Sequence, residues 1–195
     1  MGSLWWSLTI VAGLAGPAPA PRVLPLAVSL HLVDPEGVAP FALEGAYAEV
    51  ERLFAPLGVR VTAGGDADGS IQVIMLAADR SRGGLHEEAM GAVARDPRQP
   101  AAVWIVLPNV QRALGGTPGQ WPALRQTLLS RAVGRILAHE LIHLIAPDLP
   151  HAGSGLMRAS VGRALLLGEE VGLDPALGPT VRQRLAAGRL RPPLA

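Results

Sequence analysis

Three residues in the second half of the chain have types and spacing suited to chemistry. His139, Glu140 and His143 stand in the order H-E-x-x-H within the run AHELIHLI. Side chains four apart on a helix project from the same face, so two neutral imidazoles placed this way can share one metal ion. Glu140 neighbours the first imidazole and can reach a water activated by the ion without binding the ion itself. The ion would acidify that water and polarise a carbonyl, while the carboxylate takes the proton and later delivers it to the leaving amine. A further histidine, His151, follows a loop bounded by Pro147 and Pro150, and Met157 comes six residues after it. With imidazole donors the expected ion is Zn2+.

The elements that must present these residues can be read from periodicity. Val23 to Val33 alternates, with Leu26, Val28, Leu30 and Leu32 on one side and His31 on the other, and is expected to be a strand whose histidine lies at a surface or edge. Phe41 to Phe54 has helical spacing, with Leu43, Tyr47, Val50 and Phe54 as its stripe, closed by Pro56 and Gly58. Val59 to Thr62 resumes an extended run, and strand, helix, strand in this order predicts a parallel crossover. Ile71 to Ala77 reads as a central strand, Ala89 to Arg95 as a short edge strand and Ala101 to Leu107 as a buried strand. Asn109 to Gly119 reads as a loop. From Pro122 to Ile145 the sequence predicts one long buried helix, with Ala132, Ile136, His139 and His143 in one stripe and Arg131 and Arg135 on a polar side. Pro147 disfavours the helical region for Ala146 and should stop it there. Val161 to Leu167 is apolar and helical in pattern, and Asp174-Pro175 opens a last helix to about Ala187.

Taken together, His139, Glu140, His143, His151 and Met157 resemble the zinc-binding helix, third histidine and methionine turn of the metzincin clan of metallopeptidases. The GSGLM segment before Arg158 is similar to that of the matrixins. The resemblance implies an α/β (α+β), zincin-like fold. Such a fold has a mixed twisted sheet of about five strands on a backing helix and an active-site helix, with a small C-terminal helical part. It implies zinc held by His139, His143 and His151, Glu140 as general base, and Met157 as an apolar floor under the ion. The spacing departs from the clan pattern HExxHxxGxxH: Leu149 occupies the third-ligand position, Ala146 replaces the glycine, and His151 comes eight residues after His143. A loop two residues longer accounts for this, with Pro147 supplying the helix stop. Asp148, and Glu169 or Glu170 on the pattern of zincins that use a downstream glutamate, are the rival third ligands. Arg158 stands where some metzincins have a tyrosine.

Composition narrows the function classes. With 17 basic and 16 acidic residues the net charge is +1, and neither a basic stripe nor stacked aromatics suggests nucleic acid. The absence of cysteine excludes disulfides and thiolate ligands. Leu4 to Leu14 is an apolar run of signal-peptide length followed by Ala18-Pro19-Ala20, so residues 1–20 are expected to be a leader and 21–195 one domain, divided near 146. The protein would then be secreted or periplasmic, a monomer with no stable membrane span, acting on a peptide or protein substrate. The loop Gly64 to Gly69 lacks the ligands of a calcium loop, and His86 reads as a solvated loop histidine. The expected function is a zinc-dependent endopeptidase. The alternative is a non-catalytic zinc-binding interaction module on the same fold.

Overall fold

The computed structural model describes residues 26–35, 37, 42–64, 70–77, 88–94, 101–117 and 125–188. The expected leader, His86, residues 65–69 of the glycine-rich loop and the helix start at Pro122 lie outside the described residues. Among the described residues the chain forms one five-stranded mixed sheet with five α-helices. Strands β1 (Leu26–Val33), β2 (Val59–Ala63), β3 (Ile71–Leu76), β4 (Gly91–Ala94) and β5 (Ala102–Val106) take the order β2-β1-β3-β5-β4. The first four strands in that order run parallel, and β4 is an antiparallel edge.

One face of the sheet forms the core, and the register shows why. Leu30 pairs with Ile71, Val73 with Val103, Met75 with Ile105 and Val93 with Val103, so alternate residues of every strand line up on one side. These β1, β3 and β5 residues are buried together with Val28, Val59 and Val61. The other face carries Ala27, Ser29, His31, Arg60, Thr62 and Gln72, each at least partly exposed. His31 lies partly exposed on this outer face, in keeping with a surface position, and β1 itself is an internal strand because β2 pairs outside it.

Two helices cover the apolar face. Helix α1 (Ala42–Phe54) buries Ala46, Val50, Leu53 and Phe54 and leads through a short 3-10 turn into β2. Helix α3 (Gln126–Ile145) packs against α1, β4 and β5. Their approach is close because the contact residues are small. A Cβ on Gly134 would lie 2.7 Å from the Ala46 carbonyl oxygen, so α3 needs glycine there to sit at this depth.

Two expectations are corrected. Leu107, read as the end of the preceding strand, and residues 109–113, read as the start of a loop, belong to helix α2 (Leu107–Ala113), with Pro108 in its first turn, where a missing N–H costs nothing. Leu107, Val110 and Leu114 are buried at helical spacing, which a reading centred on the prolines and glycines overlooks. Arg135, placed on a polar side, is among the most buried side chains, 1% exposed. Its Nε donates to Glu49 Oε1 at 2.8 Å and its Nη1 to the Leu165 carbonyl at 2.8 Å. Glu49 also accepts from Arg52, whose Nη2 reaches the Val171 carbonyl at 2.9 Å. This network ties α1 and α3 to the segment containing α4 (Arg163–Leu167), which the sequence expected as helical. The last helix is a 3-10 turn, Pro175–Leu177, capped by Asp174 Oδ1 accepting from Ala176 N–H, followed by α5 (Gly178–Ala186).

Burial pushes the Glu49 carboxyl up, but the hydrogen bonds and charges of Arg52 and Arg135 outweigh it and hold the group below the ordinary glutamate range. A carboxyl with a depressed folded pKa contributes stability above its unfolded pKa and loses it as pH falls through the folded value. Urea titrations should therefore show Glu49→Gln flattening the fall in stability below about pH 4.3. At neutral pH, Glu49→Ala should cost about 3–5 kcal/mol, because it leaves the Arg135 guanidinium buried without its carboxylate.

Candidate metal centre

Helix α3 delivers two of the candidate ligands on adjacent turns, and its end delivers the third. The Ala146 N–H closes the last turn on the Ile142 carbonyl at 2.8 Å, and the helix stops before Pro147, as the sequence predicts. The chain then bends, with the Leu149 N–H donating to the Ala146 carbonyl at 3.0 Å, and brings His151 back over the helix. Nε2 of His143 lies 3.1 Å from Nε2 of His139 and 3.1 Å from Nε2 of His151. All three nitrogens fall within 4.8 Å of one another. The rings of His139 and His143 are edge-on, as are those of His143 and His151, while those of His139 and His151 lie nearly parallel with centroids 5.4 Å apart.

This arrangement fits a metal ion. Nitrogens about 2.0–2.1 Å from a tetrahedral centre stand roughly 3.3 Å apart, close to the two short separations here. The tautomer is set as ligation requires. Nδ1–H of His139 donates to the Leu156 carbonyl at 2.8 Å, which leaves the Nε2 lone pair directed at its partners. Burial lowers the pKa of His139 and proximity to His151 lowers it further, against the opposing effect of the Leu156 hydrogen bond. An imidazole held neutral in this way is ready to ligate. The three residues grade from buried His139 through half-buried His143 to exposed His151, so the centre opens to solvent on one side.

The turn that supplies the Leu156 carbonyl is itself fixed. Gly155 has φ +67°, a left-handed conformation that suits glycine. The Ala152 N–H donates to the Met157 carbonyl at 2.7 Å, closing the loop just after His151, and the Leu156 N–H donates to the Gly172 carbonyl at 3.3 Å. Leu156 and Met157 are both buried. Met157, Ile142, Leu149 and Leu173 line a cavity of about 370 Å³ under this loop.

The rival ligands are employed elsewhere or stand apart. Asp148 Oδ2 accepts from Arg184 Nη2 at 2.6 Å, a pair that joins the His151 loop to α5. Glu169 and Glu170 are exposed, and among the described residues neither joins the cluster of ligand atoms. Glu140 lines a 430 Å³ cavity with Val93, His139, His143 and His151, and it also borders a 770 Å³ cavity reaching Met90, Asn109, Arg112 and Val161. Gly91 and Val93 of the edge strand, the Leu156 carbonyl and the Arg135 to Glu49 pair are absent from the sequence reading of the site. Of these, Gly91 is the one with a local signal that could have found it, since a glycine inside a strand can mark a close approach.

Compared with known proteins, the chain matches no family model and no curated protein. Among the described residues no helix is long and apolar enough to cross a membrane.

The metal content of alanine variants checks the ligand set. After incubation with zinc and removal of the excess, His139→Ala and His143→Ala should lose stoichiometric metal. His151→Ala should bind at least about 100-fold more weakly, beyond the usual cost of losing an outer hydrogen-bond partner. Asp148→Ala, Glu169→Ala and Glu170→Ala should keep one ion per chain.

Proposed function

We propose that the protein is a zinc-dependent endopeptidase in which Glu140 is the general base. The observation that carries this reading is the convergence of three imidazoles at the mouth of a cleft, with a carboxylate on the same helix lining that cleft. Three protein ligands leave a fourth position for water or substrate, whereas a structural zinc site is closed by four. Zinc held there would supply Lewis acidity, polarising a peptide carbonyl and making water acidic enough to lose a proton near neutral pH.

The chain's own residues would do the rest. His139, anchored through Leu156, and His143 hold fixed directions because α3 is packed on several sides. His151 completes the set from an exposed loop, where it bounds the approach of substrate. Glu140 follows His139 on the helix and stands beside the cluster without belonging to it, in position to take a proton from water and pass it to the departing amine. The 770 Å³ cavity shares His139, Glu140 and His151 with the cleft, and its Met90, Ile136 and Val161 offer an apolar lining for a substrate side chain. The order of strands, active-site helix, third histidine and buried methionine turn also fits the metzincin resemblance, with the loop to His151 lengthened. Export by the apolar N-terminal run would place this activity outside the cytoplasm.

Cleavage of casein or a peptide library by the zinc-loaded protein tests the proposal. Glu140→Ala should keep its zinc and lose about 10²- to 10⁴-fold in kcat, the range assigned to general acid–base catalysis. Full activity in a zinc-loaded Glu140→Ala protein would remove Glu140 from the reaction.

A further inference from the structure

Gly91, in the edge strand β4, lies against Glu140, and the geometry restricts its identity. Strand β4 pairs with β5 in the register Gly91 to Ile105 and Val93 to Val103. Ile105 and Val103 are buried on the face covered by α3, so Gly91 and Val93 face α3 as well. Val93 lines the cleft with the three histidines, and Gly91 lines the neighbouring cavity with His139, Glu140 and His151. A Cβ on residue 91 would lie 2.7 Å from Glu140 Cγ, 3.0 Å from Glu140 Oε1 and 2.7 Å from Ile136 Cγ2. No side chain can occupy that position while Glu140 stays where it is.

We propose that Gly91 is a positioning residue for Glu140: the missing side chain leaves a notch in the edge strand, and the Glu140 stem and carboxylate rest in it. The φ of Gly91 is not in the left-handed region, so backbone conformation alone does not call for glycine there. Glycine in a strand costs stability, since it packs no side chain and orders a freer backbone. Space for Glu140 is what it provides in return. Ile136, one turn back on the same helix, borders the same space, its Cγ2 lying 2.7 Å from where a Cβ would stand. Any larger residue would drive the carboxylate away from β4 and change its distance from the imidazole cluster. A shift of about 1 Å in a reacting group can cost on the order of 100-fold in rate.

This inference rests on the hydrolase reading for its consequence in turnover, but the contact itself can be tested without turnover. Thermal unfolding of the zinc-loaded full chain is compared for wild type, Gly91→Ala, Glu140→Ala and the double variant. Gly91→Ala should lower Tm more in the wild-type background than in Glu140→Ala, where the obstructing side chain is gone. An equal loss in both backgrounds would overturn the proposal. In the peptide assay Gly91→Ala should keep one zinc per chain and lower kcat by about 100-fold with little change in KM. Ile136→Ala added to Gly91→Ala removes the apolar part of the collision, and the loss in kcat should persist. Recovery of kcat in that variant would show that residue 91 acts through Ile136 and would sink the proposal. Should Gly91→Ala alone fail to fold, folding of Gly91→Ala with Glu140→Ala would demonstrate the contact, and failure of that double variant too would count against it. A wild-type protein that cleaves nothing would remove the hydrolase reading, while the unfolding comparison would still decide the contact.

Discussion

Helix α3 is held by α1 and by strands β4 and β5, and its residues from Leu129 to Ile145 are buried with few exceptions. A helix packed on several sides cannot roll, so the directions in which His139 and His143 project are set by the core and not by the site. That restriction governs everything around the histidines. It requires Gly134 at the crossing with α1, and it holds Arg135 inside the protein, one turn before His139. It also brings Glu140 against the edge strand. The cost of burying Arg135 is met by Glu49 from α1 and the Leu165 carbonyl, so the pair that satisfies the charge also locks the C-terminal segment onto the helix.

The third imidazole is positioned by different means. His151 is exposed, and its loop is held by backbone hydrogen bonds between Ala152 and Met157 and between Leu156 and Gly172, with the exposed pair of Asp148 and Arg184 at its base. Such a pair contributes little by itself, roughly 0–1 kcal/mol. The backbone closure of residues 152–157 therefore carries most of the constraint. Because the same turn presents the Leu156 carbonyl to His139, the loop bearing the third candidate ligand also orients the first. The two halves of the centre are coupled through one peptide group.

Local physics made part of this legible in the sequence. The spacing of His139 and His143 has a single geometric meaning on a helix, and Pro147 marks where the helix ends. The alternation of Val28, Leu30 and Leu32 and the apolar run from Ala102 to Val106 identify strands because burial on a pleated face demands those patterns. What escaped were features that depend on partners distant in the chain. Arg135 reads as polar surface until Glu49 is seen to come from another helix. Gly91 reads as an unremarkable strand glycine until Glu140 occupies the space beside it. Helix α2 escaped for a local reason, since Leu107 completes the preceding apolar run and Pro108 resembles a strand stop, although the same proline suits a first helical turn. His151 lay between, visible as a donor but placed at the centre only by the course of the loop.

The central claim is that His139, His143 and His151 hold one ion through Nε2. Anomalous diffraction at the zinc edge, from crystals of the full chain grown with zinc, tests it most directly. A single strong peak is expected about 2.0–2.1 Å from all three nitrogens, with no protein atom in the fourth position. A peak bound by only two of these histidines, or one completed by Asp148, Glu169 or Glu170, would contradict it.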